Sequence, residues 1–162
     1  MRIGITGHQS RDGIDWSWVK NTIRVELSKI VGVEQCLSSL AAGSDQVFAE
    51  VALDLGIPVL AVIPVRGYER YFRGDDLARY RRLRHQCKVT QLNWCGDDER
   101  AFFEAGKTIV EKSDMMLAVW DGKQAEGGGG TGDVVIFALK NAKPIVHINP
   151  IDRSIQRVYT KS

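Results

Sequence analysis

The chain has 162 residues, 44% hydrophobic and 26% charged, with a formal net charge of +2. That balance suits one soluble domain with a substantial core. It excludes a membrane span, since no apolar run nears ~20 residues, and it gives no global electrostatic case for nucleic acid. Cys36, Cys87 and Cys95 lack C-x-x-C spacing, so neither a disulfide framework nor a zinc site is expected. Arg2 begins a strand pattern at once, with no basic segment and long apolar stretch of a secretion signal. A cytoplasmic location is the expectation.

In chain order, Arg2 to Gly7 reads as a strand and Gly7 to Gly13 as a polar loop. Asp15 caps a first helix whose apolar face is Trp16, Val19, Ile23, Leu27 and Ile30; Gly32 ends it. Glu34 to Leu40 is a second strand. Ala41-Ala42-Gly43-Ser44-Asp45 turns into a second helix, which Gly56 stops. Pro58 to Pro64 is almost wholly apolar, as a central parallel strand should be. Arg66 to Gly74 is a loop rich in arginine and aromatics, followed by a charged helix from Asp75 to about Gln86. Val89 to Asn93 is a shorter strand near an edge. Asp97 or Asp98 opens a fourth helix, with Phe102, Phe103, Gly106, Ile109 and Val110 inward. Met115 to Trp120 is a buried strand, and the glycine stretch Gly127 to Gly132 follows. A helix then runs to Asn141, and Pro144 to Asn149 is a last strand. Residues 151–162 read as a polar, loose tail. Strand and helix alternate throughout, which is the pattern of one doubly wound, mostly parallel α/β sheet with helices on both faces.

In such a sheet, ligands meet the loops that follow the strands. Three loops have the right character. Glycines Gly127 to Gly130, with Thr131 at a helix start, present backbone N–H groups and a positive dipole end to an anion; the other reading is a glycine-rich surface loop. No Lys-Ser or Lys-Thr closes this stretch, so magnesium-dependent triphosphate hydrolysis is not indicated. Asp121, Glu126 and Asp133 are carboxylates in or beside it, although Asp133 is also favoured in a first helical turn by the dipole alone. Thr6-Gly7-His8 is not a dinucleotide fingerprint, and no NAD, metal or other cofactor is expected; Thr6 and Gly7 can meet a phosphate or base, and His8 can hydrogen-bond it. Gly43-Ser44-Asp45 opens the second helix. Ser44 either caps it or binds ligand, and Asp45 either complements the dipole or accepts from ribose hydroxyls. Seven arginines between Arg66 and Arg84 alternate with Tyr68, Tyr71, Phe72 and Tyr80. That is phosphate- and base-binding chemistry, and equally that of a solvated face or interface. Arg66, Arg70 or Arg73 leaning over the cleft is the local version.

Gly4-Ile5-Thr6-Gly7-His8, Ala42-Gly43-Ser44-Asp45-Gln46 with Ala49-Glu50-Val51-Ala52, and Ser113 to Gly122 with Gly129-Gly130-Thr131 together resemble the SLOG superfamily. This Rossmann-like group includes LOG phosphoribohydrolases, the DprA core and YpsA-like proteins; the likeness is closest to the stand-alone YpsA-like branch. It implies a Rossmann-like domain over residues 1–150 that binds a nucleotide or derivative through Thr6, Gly7, His8, Gly43, Ser44, Asp45, Asp121, Gly128, Gly129, Gly130 and Thr131. It implies homodimers or higher homo-oligomers and no membrane partner. In LOG enzymes the loop reads P-G-G-x-G-T-x-x-E, and its glutamate is catalytic with an arginine from the preceding helix. Here Val134 stands at the glutamate position, Asp133 is one residue early, and Lys107 at best replaces the arginine, without its bidentate fork. The reading that follows is a binding or sensing module. The alternatives are a nucleoside-monophosphate N-glycosidase using Asp133 and Glu126, and a DprA-like partner of single-stranded nucleic acid.

Overall fold

The computed structural model describes residues 1–124 and 130–159. Among them, seven strands form one sheet in the order β4-β3-β2-β1-β5-β6-β7. The strands are β1 (Arg2–Gly7), β2 (Gln35–Ser38), β3 (Val59–Ile63), β4 (Lys88–Gln91), β5 (Met115–Val119), β6 (Ile145–Asn149) and β7 (Ser154–Val158). The helices are α1 (Trp16–Lys29), α2 (Ser44–Asp54), α3 (Gly74–Gln86), α4 (Asp98–Lys112) and α5 (Thr131–Lys140). All neighbouring pairs are parallel except β6 and β7. The doubly wound α/β architecture is therefore as expected, with β4 at one edge.

Local chemistry accounts for the boundaries. The Asp15 and Asp97 side chains accept backbone N–H bonds at the starts of α1 and α4, supplying partners the first helical turn lacks. Successive strand residues face opposite ways, and the core divides accordingly. Ile3, Ile5, Cys36 and Ala61 pack with Val19, Ile23 and Phe48 of α1 and α2. Leu37, Val62, Met116 and Ala118 pack with Ala105, Ile109, Val134 and Val135 of α4 and α5. Gly4 sits inside β1 because α4 crosses it closely: a Cβ there would lie 2.6 Å from the Ile109 side chain.

Two elements differ from expectation. Tyr68–Tyr71, read as loop, forms a short 3-10 turn. Residues 154–158, assigned to a loose tail, make a strand in antiparallel register with β6. Polarity was a poor guide there because an edge strand exposes most of its side chains, and its pairing uses backbone groups. Its anchor is long-range: Glu26 of α1, almost fully buried, accepts from Arg157 at 2.5 Å and Lys29 at 3.0 Å. Glu26→Ala is expected to cost about 1.5–3 kcal/mol, the usual worth of charge-assisted bonds. Amide exchange would speed selectively in residues 154–158; unchanged protection of that strand would refute the anchor.

Candidate functional site

The strand order reverses between β1 and β5: β2 to β4 extend to one side of β1, β5 to β7 to the other. Crevices open at such switch points. Here a cavity of about 410 Å³ lies at the C-terminal strand ends, lined by residues following β1, β2, β3 and β5 and by α4 and α5. That volume is in the range of small-molecule sites.

The floor is the loop after β1, bound on both sides. The His8 backbone N–H donates to the Val119 carbonyl at 2.9 Å. The His8 carbonyl accepts from Ser44 N–H at 3.2 Å and Ser44 Oγ at 2.7 Å. Ser44 is fully buried, so its hydroxyl joins two loops and is not among the groups lining the cavity. Gly7 and Gly43 make this approach possible. A Cβ on Gly7 would lie 2.6 Å from the Ser44 side chain, and one on Gly43 would lie 2.8 Å from the Gln9 carbonyl carbon. Gly43 also has φ +80. The β2–α2 loop is held from within: Ser38 Oγ donates to the Asp45 carbonyl at 2.9 Å and accepts from Leu40 N–H at 3.0 Å. Leu40, fully buried, takes φ +57, an uncommon state for a non-glycine residue.

Thr6, His8 and Asp45 line the cavity. His8 Nε2 accepts the Asp121 backbone N–H at 3.1 Å and lies 3.3 Å from Asp121 Oδ1. Burial lowers the His8 pKa, with Arg11 acting the same way and Asp121 opposing. The neutral ring with a bare Nε2 matches the accepted N–H. Asp121 is not itself among the lining residues. Burial would raise its carboxyl, but the Lys123 backbone N–H, His8 and Arg11 outweigh burial and lower it. Asp45 is the opposite case. Burial pushes its carboxyl up to about 7, against backbone bonds at Ala41 and Ser39.

The far wall is the N-terminus of α5. Gly130 is its N-cap, and Gly130, Thr131 and Gly132 line the cavity. Gly128, Gly129 and Glu126 lie outside the described residues. Asp133 occupies the first turn of α5 but does not line the cavity; Val134 does. Val134 is buried against α4, where a Cβ on Gly106 would lie 2.8 Å from its Cγ2. Lys107 is not among the lining residues either. Its ammonium pairs with Glu104 at 2.7 Å and lies over the Phe103 and Phe137 rings. One helical step separates it from Gly106, which does face the cavity, and that step turns it outward.

The arginine-rich segment divides in a way its composition did not show. Its aromatics turn inward: Tyr68, Tyr71 and Phe72, with Phe102 of α4, form one cavity wall. Tyr68 packs edge-on to Phe72 and Tyr80 at centroid distances of 4.9 and 5.4 Å, and Tyr71 to Phe102 at 4.9 Å. Four of its seven arginines turn to carboxylates. Arg70 pairs with Asp98 at 2.5 Å beside the Tyr71 hydroxyl, Arg81 is bidentate on Glu69, and Arg79 and Arg82 share Glu50. Neither Arg66, Arg70 nor Arg73 lines the cavity. The cations that do are Arg11 and Lys123, which sequence reasoning missed. The only available signal was position: each follows a strand that ends at the switch point. Among the described residues, no group of three His, Cys, Asp or Glu is placed to hold a metal ion, and no helix is long and apolar enough to cross a membrane.

No family model and no curated protein matches this sequence. Solved structures do. DNA processing protein A from Helicobacter pylori, described for its single-stranded DNA binding mode, superposes with a TM-score of 0.63 at 16% identity, over 92% of this chain and 65% of that one. The Streptococcus pneumoniae DprA gives 0.64 at 17% identity, over 91% of this chain and 50% of that one. The molybdenum cofactor carrier protein from Chlamydomonas reinhardtii gives 0.54 at 18% identity, over 90% and 74%. The chain thus spans about half to two thirds of the length of the two DprA chains. It has the Rossmann-like fold expected of the SLOG group; at these identities the likeness is one of fold.

Proposed function

We propose that this chain is a cytoplasmic SLOG-type module, acting as a homo-oligomer, that binds a nucleotide or nucleotide derivative in the switch-point cavity. One observation carries the reading: a single cavity of about 410 Å³ is lined by an aromatic wall, by a helix N-terminus, and by Lys123 and Arg11, the latter also 3.7 Å from Asp121. Rings stack on the first, and anions are held by the second. The likeness to a cofactor carrier and to DprA is consistent with a bound ligand in this fold. Glycosidic cleavage is disfavoured because apolar Val134 lines the cavity where the LOG pattern has its glutamate. A nucleic-acid track along Arg66 to Arg84 is disfavoured because Arg70, Arg79, Arg81 and Arg82 are paired with carboxylates.

A thermal-shift series with 5′-nucleoside monophosphates tests the reading. Ligand at a hundred times its Kd adds about 2.7 kcal/mol, or roughly 5–10 °C for a chain of this size. Arg11→Ala and Thr131→Ala are expected to shrink that shift. A flat response to every nucleotide would remove the proposal. Release of free base that Asp133→Asn abolishes would establish the enzyme instead, and steeply salt-dependent binding of single-stranded DNA would establish the nucleic-acid partner.

A further inference from the structure

The cavity has two unlike poles. Arg11, 3.7 Å from Asp121 in the loop after β5, and Lys123 of that same loop line the cavity with the α5 N-terminus, while Asp45 is the only carboxylate among the described lining residues. Asp45 follows β2, and α5 follows β5, with β1 between them. The loop after β1 therefore lies between the two poles. A phosphate is repelled by Asp45 and held at the α5 end, so a bound nucleotide has one orientation. Its base lies toward Asp45 and Tyr68, whose electrostatic coupling puts the carboxylate beside the aromatic wall.

We propose that Asp45 reads the base, accepting two parallel N–H bonds from a 2-amino-4-oxopyrimidine edge such as that of guanine or a pterin. This rests on the ligand reading above. A buried carboxylate needs donors. Among the described residues no lysine or arginine bonds to Asp45; its partners are backbone groups at Ala41 and Ser39. A guanine or pterin edge presents a ring N–H and an amino N–H side by side, matching the two oxygens as a guanidinium does. Adenine presents an amino donor beside a ring acceptor, and the acceptor opposes a carboxylate. The carboxyl's pKa of about 7 supports this placement, since the site leaves the charge incompletely compensated without ligand.

Binding of GMP, dGMP, AMP and neopterin to the intact protein tests the assignment. GMP and dGMP are expected to bind alike and about tenfold to a hundredfold more tightly than AMP. Asp45→Asn should erase that preference while AMP binding persists. Neopterin binding as tightly as GMP would assign the source of the edge as a pterin; weak neopterin would assign a guanine nucleotide. If dGMP and AMP both fall behind GMP, Asp45 holds the ribose, and equal affinity for AMP and GMP likewise overturns the proposal while leaving the cavity a nucleotide site. Loss of binding by all four overturns both readings together. A second readout needs no variant: the GMP-to-AMP affinity ratio should fall as pH drops through about 7, where Asp45 gains a proton. Of the titratable groups near it, His8 is lowered and Tyr68 raised, both chiefly by burial, so their shifts carry them away from Asp45's.

Discussion

Asp45→Asn is expected to stabilise the ligand-free protein at pH 8 by up to about 4 kcal/mol, or roughly 10 °C in Tm. The Asp45 carboxyl rises from an ordinary 3.8 to about 7 because burial disfavours its charge. A raised acid pKa means the folded chain holds the proton more tightly than the unfolded one. The associated stability is therefore full below pH 3.8 and lost as pH climbs through about 7. Over about three pH units, at 1.36 kcal/mol each, the loss sums to the figure above. Asparagine keeps an acceptor for the backbone at Ser39 and Ala41 but carries no charge. Urea denaturation at pH 4 and pH 8 measures the difference: the two proteins should match closely at pH 4 and separate at pH 8. Equal midpoints at pH 8 would sink the claim. The magnitude also decides between two accounts of Asp45. A carboxylate in a first helical turn gains about 0.3–1 kcal/mol from the dipole, well short of this burial cost. Helix electrostatics alone do not offset that cost; the donors of the proposed ligand are the contribution that would.

Gly43→Ala is expected to cost about 3 kcal/mol and to disturb the cavity. The φ of +80 strains any residue with a Cβ, by roughly 1–2 kcal/mol. The new methyl would also press into the Gln9 main chain, and overpacking adds about 1–3 kcal/mol. Backbone yields less readily than a side-chain tip, so the loop after β1 must move, taking His8 with it. Gly56→Ala is the control: its φ is +74, but nothing lies within 4 Å of the added carbon. That variant should lose only the conformational part, about 1–2 kcal/mol. If the two variants unfold at the same urea concentration, the close approach of Gly43 to Gln9 is not what selects glycine.

The arginine-rich segment shows where composition stops being informative. Arginines and aromatics between Arg66 and Arg84 are consistent with a ligand, a surface or a nucleic acid. The partners of three of them lie far away in sequence: Asp98 in α4 for Arg70, and Glu50 in α2 for Arg79 and Arg82. With those three arginines held by carboxylates, Tyr68, Tyr71 and Phe72 form the cavity wall. Lys107 and Gly106 make the same point at one residue's resolution, since only the glycine faces the cavity.

What this sequence determined by itself was the alternation of strands and helices, their caps and the switch-point loops. These follow from local periodicity and from short-range bonds such as those of Asp15 and Asp97, which nearest neighbours decide. The tertiary structure alone decided which side chains share the cavity. Ser44 became a tie between loops, Asp45 a buried acid, and Arg11 and Lys123 cations lining the cavity. It also decided that residues 154–158 join the sheet, through Arg157 and a glutamate 131 positions earlier. The physical reason is common to all of these: burial, pairing and charge compensation depend on residues far apart in the chain, and their energies arise only when the fold brings them together.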